Sequence, residues 1–153
     1  MQSNDGWHDK SELQRLDGVI NDFLNNSGYN INKDKISLAG FSNGGGGVGL
    51  YYNYAGRTVN IHRAAVLAGY YIDQFDNMYG KIPVRVYTGT KDGNLSPGRY
   101  HNHAKEVGLD DKDNIVLEGI GHGGTPGAAL FRDGTEEEKN GRSDLLEFLW
   151  GDD

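Results

Sequence analysis

The sequence predicts an α/β domain: a parallel sheet of about four strands with helices on both faces. Three observations predict it. Short apolar runs at 36–41, 63–68, 83–88 and 114–118 alternate with segments whose apolar residues recur at helical spacing. Strands separated by helices run parallel, and a parallel sheet is covered on both faces with right-handed crossovers. The first run leads directly into a serine turn, Gly40-Phe41-Ser42-Asn43-Gly44, and a further apolar segment follows. An aspartate and a histidine lie just past the third and fourth runs, where the loops of a parallel sheet carry the chemistry.

The elements follow in order. Residues 1–8 are polar and irregular. Asp9 is placed to cap a helix, with Glu12 three residues on at capping-box spacing. Leu13, Leu16, Val19, Ile20, Phe23 and Leu24 then form one apolar face, and Asn25-Asn26-Ser27-Gly28 ends it. Ile36 to Phe41 is the first strand, and Val48 to Tyr54 is suited to a helix. Arg63 to Ala68 is the second strand. Gly69 to Lys81 is an aromatic-rich loop or short helix. Pro83 starts the third strand, where a missing N–H is tolerated. Gly98 to Val107 is a helix, Asn114 to Glu118 the fourth strand, and 119–142 a long loop with room for a short helical piece. Ser143 caps a last helix that turns Leu145, Leu146, Leu149 and Trp150 to the core.

Composition narrows the function classes. A length of 153 residues suits one domain, 1–153, with enough chain for a core. Lysine and arginine total 15 against 22 acidic residues, a net charge of −7. That balance argues against a nucleic-acid partner and against an anionic membrane surface. With no cysteine there is no disulfide framework and no thiolate metal site. No stretch approaches the ~18 apolar residues of a membrane span, and the N-terminus shows no signal-peptide core, so the compartment stays open. A Gly-Lys-Ser/Thr does not follow the glycine run, so the run is no phosphate-binding loop.

The serine turn carries the chemistry. A strand, Gly-x-Ser-x-Gly and a helix together make a nucleophile elbow, in which strained backbone lifts a serine hydroxyl above the sheet. Gly40 and Gly44, two residues to either side, are expected to be the positions that the crowded turn restricts to glycine. The helix N-terminus would face the reacting carbonyl, and the Asn43 N–H is the candidate oxyanion donor. Asp92, in Thr88-Gly89-Thr90-Lys91-Asp92-Gly93, and His122, in Gly119-Ile120-Gly121-His122-Gly123-Gly124, complete the chain order Ser, Asp, His. In that scheme His122 takes the Ser42 proton and Asp92 orients the imidazole. Asp73 and Asp76 are the alternative acids. Tyr70, Tyr71, Phe75 and Tyr79 are candidates to line a substrate pocket or, equally, to pack a cap on the sheet. His101 and His103, two apart on a helix, point to different faces and cannot easily share a metal; they, His8 and His62 read as structural.

The stretch from Ile31 to Gly45, with Gly40-Phe41-Ser42-Asn43-Gly44-Gly45 at its end, resembles the elbow region of α/β-hydrolases of the polyhydroxybutyrate-depolymerase and feruloyl-esterase kind. It is similar also to acyl-thioesterase and carboxylesterase members. Val84 to Asp92 resembles the strand and acid loop, and Gly121-His122-Gly123 the histidine loop. The resemblance implies hydrolysis of a small-molecule ester or thioester through an acyl-serine, with no cofactor. It covers the C-terminal half of that fold only. The family carries about four more strands ahead of the first helix here, and a loop among them supplies the second oxyanion donor. Loss of one such donor costs ~3–4 kcal/mol of transition-state stabilisation. The truncated α/β-hydrolase-like domain would also have its elbow strand at an edge, which invites pairing with another chain. Three expectations follow: a partner chain or second copy covers that edge; the chain is a non-catalytic structural or binding protein, such as a virion component, with relic residues; or Gly44 to Gly47 supply a makeshift oxyanion site.

Overall fold

Residues 6–130 and 144–151 are described by the computed structural model. Strands β1 (Ser37–Phe41), β2 (Arg63–Leu67), β3 (Val84–Gly89) and β4 (Asn114–Leu117) form one sheet in the order β1-β2-β3-β4, every pair parallel. The register sets Gly40 beside Val66, Val66 beside Val86, and Thr88 beside Val116. Parallel neighbours need a crossover each time. Helix α2 (Asn43–Asn53) joins β1 to β2, a 3-10 turn (Ile72–Phe75) lies between β2 and β3, and α3 (Pro97–Glu106) joins β3 to β4. A second 3-10 turn (His122–Gly124) leads into α4 (Thr125–Leu130), and α5 (Asp144–Trp150) ends the described chain.

Alternation along the strands divides the core in two. Ala64, Val66, Val84 and Val86 pack with Val48 of α2, Phe75 and Met78 of the β2–β3 connection, and Tyr100 of α3. Ala65, Leu67, Tyr87, Ile115 and Leu117 pack on the other side with Ala129 of α4 and with Leu145 and Phe148 of α5. Helices therefore cover both faces, and the fold class expected from the sequence is the one observed. Polar bonds reinforce the second layer. Arg85 pairs with Asp113 at 2.9 Å and Asp144 at 3.3 Å, and lies over the Phe148 ring. The Tyr87 hydroxyl donates to Asp144 at 2.7 Å.

Four local expectations are corrected. Asp9 caps α1 (Lys10–Asn26) by accepting the Ser11 N–H at 2.8 Å, but Glu12 turns to Arg15, so the reciprocal half of the capping box is not made. The α1 apolar face is narrower than the six positions suggested: Leu13, Leu16, Ile20 and Leu24 pack inward, while Val19 and Phe23 are about half exposed. Helix α2 starts at Asn43 rather than Val48, because the glycines that read as a loop are its packed face. In α5 the buried pair is Leu145 and Phe148; Leu146 and Trp150 face solvent, Trp150 at 76% exposure. Ser143, expected to cap that helix, lies outside the described residues, as does the acidic run Glu136-Glu137-Glu138, whose sequence reads as a solvated face. Among the described residues no helix is long and apolar enough to cross a membrane.

Candidate active site

The strand β1 ends at Phe41 and α2 begins at Asn43, so the chain reverses on Ser42 alone. Its backbone has φ 55° and ψ −121°, a conformation that L-residues rarely adopt. Three hydrogen bonds help hold it. The Ser42 N–H donates to the Leu67 carbonyl at 2.9 Å, and its own carbonyl accepts the Gly46 N–H at 3.1 Å and the Tyr70 N–H at 3.2 Å. Among the described residues, the other non-glycine positions with positive φ are Ala68 and Tyr71, both in the loop after β2. All three lie around one end of the sheet. Backbone strain gathered at one place marks a candidate functional site.

Glycine lets these pieces approach. A Cβ on Gly40 would stand 2.1 Å from the Gly44 carbonyl oxygen, and one on Gly45 would stand 2.6 Å from Gly69 Cα. Nothing lies within 4 Å of a Cβ on Gly44. The expectation that Gly44 must be glycine is thus corrected: the second crowded position is Gly45. The rest of the run packs against rings, with Gly46 against Tyr71, Gly47 against Trp7 and Gly49 against Phe75.

Three side chains meet above this end of the sheet. Ser42 Oγ lies 2.8 Å from His122 Nε2, and His122 Nδ1 lies 2.7 Å from Asp92 Oδ2. Asp92 comes from the turn after β3 and His122 from the 3-10 turn after β4. Asp92 is 6% exposed, and its other oxygen accepts the N–H groups of Asn94 and Leu95 at 2.8 and 3.0 Å. Burial alone would push this carboxyl up. The bond from His122, and then the two backbone bonds, outweigh it and hold Asp92 below the ordinary carboxylate range. Asp92 therefore stays an anion and fixes a proton on Nδ1, leaving Nε2 free to accept one from Ser42. Rings flank the imidazole: Phe41 at 5.0 Å and Tyr70 at 5.9 Å between centroids.

The remaining candidates separate. Asn43 occupies the first position of α2, and the N–H groups of Asn43, Gly44 and Gly45 have no partner within the helix. The Gly46 N–H is already bonded to the Ser42 carbonyl. Tyr70 and Tyr71 line a pocket beside these three side chains, whereas Phe75 lies in the core and Tyr79 packs against it. Asp76 accepts or shares a proton with His103 at 2.7 Å, away from Ser42. Asp73 receives the Gln74 amide at 3.2 Å. The His8 ring stacks edge-on against Tyr71. Among the described residues no group of three metal-ligating side chains comes together. Sequence reasoning missed Asp17 as an anchor and Arg99 beside the site; both are charged residues on helices, where the default reading is a solvated face.

One further feature bears on the site. A groove of about 560 Å³ runs along the open edge of β1 and ends at Ser42 and Asn43, with Trp7, Leu16 and Tyr51 in its walls. A second, of about 370 Å³, continues past the other end of β1 between Phe23, Leu149 and Trp150.

No family model matches the chain, and no curated protein matches it by sequence. Among solved structures, a predicted CIB-like hydrolase from Thermoplasma acidophilum is similar in fold. The TM-score is 0.52 at 19% identity, over 76% of this chain and 53% of that one. The likeness places the chain in a hydrolase-like α/β fold, and the chain spans about half the length of that neighbour.

Proposed function

We propose that the chain is a serine hydrolase that cleaves a carboxylic ester or thioester through an acyl-serine. The observation that carries this reading is the line from Ser42 Oγ through His122 to Asp92, at 2.8 and 2.7 Å. The description of the structural neighbour as a hydrolase agrees with it. Ser42 Oγ attacks the substrate carbonyl carbon while its proton passes to His122 Nε2. Asp92 stabilises the imidazolium that forms. The Asn43 N–H, at the positive end of α2, donates to the carbonyl oxygen as it becomes an oxyanion. The carbonyl re-forms, the alcohol or thiol departs with the His122 proton, and water activated by the same imidazole releases the acid.

The open edge of β1 belongs to this reading. The Ile36 carbonyl accepts from His62 and the Ser42 N–H donates to Leu67, so residues 36, 38, 40 and 42 direct their backbone groups to β2. Ser37, Ala39 and Phe41 then direct theirs away from the sheet. We propose that a strand of a distinct polypeptide pairs there in parallel, and that the turn after it brings a second oxyanion donor beside Asn43. A second copy is disfavoured because each chain carries −7 and a two-fold axis would pair the edges antiparallel.

Labelling of the purified chain with a fluorophosphonate probe, beside a Ser42→Ala control, tests the hydrolase reading. Labelling is expected in the wild type and absent in the control. If folded protein does not label at any concentration, with or without a partner, the hydrolase reading fails and a binding role for the β1 edge takes its place.

A further inference from the structure

Two hydrogen bonds align the His122 imidazole, Nδ1 to Asp92 Oδ2 at 2.7 Å and Nε2 to Ser42 Oγ at 2.8 Å. Bonds at ring nitrogens lie near the ring plane, so this pair leaves the ring free to tilt about the line joining the two nitrogens. The chain around His122 does little to stop that tilt. Glycine stands on either side of it, in Gly121-His122-Gly123. A Cβ on Gly123 would meet nothing within 4 Å, and one on Gly121 would meet only the Lys91 carbonyl oxygen, at 3.5 Å. No side chain next to His122 in sequence packs its turn down, and glycine widens the conformations open to the backbone there. The restraint on the ring has to come from elsewhere in the fold.

Two aromatic rings reach it. Phe41 lies 5.0 Å from the imidazole between centroids, at an interplanar angle of 41°, and Tyr70 lies 5.9 Å away at 38°. They come from different elements. Phe41 ends β1 in register with Leu67 of β2, and Tyr70 stands in the loop after β2. That loop is tightly held. The Ala68 N–H donates to the Tyr87 carbonyl at 2.8 Å, and the Tyr70 N–H to the Ser42 carbonyl at 3.2 Å. The Tyr71 ring fills the space that a Cβ on Gly46 would take, and the His8 ring lies edge-on against it at 4.2 Å. Ala68 and Tyr71 have φ of 44° and 61°, so strained residues stand on both sides of Tyr70. Such strain persists only where the surroundings over-determine it. Here it brackets the residue whose ring meets His122.

We propose that Phe41 and Tyr70 are positioning residues for His122, two rings that fix the tilt of its imidazole and so keep Nε2 on Ser42 Oγ. Ring–ring contacts have preferred approach angles, which is the restraint that the two hydrogen bonds lack. The use of the alignment in ester cleavage rests on the hydrolase reading; the alignment itself does not. Tyr70 acts through its ring, so its hydroxyl is dispensable for this role.

The test compares Phe41→Ala and Tyr70→Ala with Phe41→Tyr and Tyr70→Phe, which keep the rings. Melting curves report that each is folded; Phe41, 38% exposed, carries the test alone if Tyr70→Ala does not fold. Proton–nitrogen NMR reads the His122 Nδ1 proton, with His122→Gln as the assignment control. A sharp signal is expected in wild type and in both ring-keeping variants, and a signal broadened by exchange with water in both alanine variants. Turnover of para-nitrophenyl acetate and butyrate is expected to fall in kcat by the same factor for both esters, about two- to tenfold per ring, with KM unchanged. Tyr70→Phe should restore it. An Nδ1 proton that stays sharp in both folded alanine variants, or that is not seen in wild type, overturns the proposal. So does a loss that appears in KM alone and differs between the two esters, since the rings would then be substrate contacts. A signal that depends on the rings in a chain that cleaves no ester would retain the positioning of His122 and sink the hydrolase reading instead.

Discussion

Ser42 holds a strained backbone between a strand and a helix, and Gly40 and Gly45 allow it, whereas Gly44 has room for a side chain. Substitution separates Gly45 from Gly44. Gly45→Ala would drive a methyl into Gly69 Cα, 2.6 Å away, so the α2 start must move and the Ser42–His122 distance with it. Gly44→Ala meets open space inside a helix and is expected to leave stability unchanged or raise it by up to ~1 kcal/mol. Thermal melts and fluorophosphonate labelling of the two variants check this: Gly45→Ala should lose both, Gly44→Ala neither. Asp92→Asn keeps the shape but offers an amide that can donate to His122, so Nδ1 no longer needs its proton. A fall of about 10⁴ in kcat with an unchanged melt is the expected outcome, measured by ester turnover. The meeting of Ser42, Asp92 and His122 was legible from sequence, because each follows a strand and parallel strands bring those loops together. The crowding at Gly45 was not, since its neighbour Gly69 is distant in sequence and only the folded chain joins them.

At the scale of elements, α1 is held by a buried acid as much as by its apolar face. Asp17 is 7% exposed and accepts from the Tyr51 hydroxyl at 2.7 Å, the Thr58 N–H at 2.9 Å and the Thr58 hydroxyl at 2.7 Å. One carboxylate therefore ties α1 to α2 and to the loop before β2. Asp17→Ala leaves the Tyr51 hydroxyl and Thr58 N–H buried without an acceptor, at a cost of about 2–3 kcal/mol in urea unfolding. Burial raises the Asp17 pKa, but the Thr58 and Tyr51 bonds outweigh it and hold it below the ordinary value of 3.8. The folded state thus binds the proton less readily than the unfolded chain. The stabilisation is fully present above about pH 4 and is lost as pH falls through the folded value. Asp17→Asn is expected to be less stable than wild type at neutral pH and to lose less on acidification, as read by unfolding at a series of pH values. Periodicity could not flag Asp17: a lone acid amid apolar positions reads as the polar side of the helix, and Val19 and Phe23 read as the apolar side. The start of α2 was hidden for a related reason. Glycine has low helix propensity, yet here each glycine gives room for a ring or a backbone strand, and packing overrides propensity.

At the scale of the molecule, β1 and β4 are the two edge strands of the sheet among the described residues, and on β1 Ala39 and Phe41 are exposed beside the Ser42 turn. Val19, Phe23, Phe41 and Trp150 are half of the eight large apolar side chains left exposed among the described residues, and three of them, Phe23, Phe41 and Trp150, line the grooves along the β1 edge. An apolar edge with free N–H and C=O groups is a pairing template. That the elbow strand would lie at an edge was legible from strand order; the grooves flanking it were not, since they form between α1, α5 and β1, far apart in sequence. The edge makes a specific prediction for amide hydrogen exchange. In the lone chain the amides of Leu38, Gly40 and Ser42, bonded to β2, should be protected, while those of Ser37, Ala39 and Phe41 should exchange freely. When a strand docks, the second set should become protected as well. Ala39→Pro removes an outward N–H and leaves the bonds to β2 in place, so it should block that change without lowering the melting temperature much. Protection of the outward set that rises with concentration of the chain alone would identify a second copy as the occupant and overturn the distinct partner. Outward amides already protected in dilute monomer would mean the edge is covered from within, and the second oxyanion donor must then come from this chain.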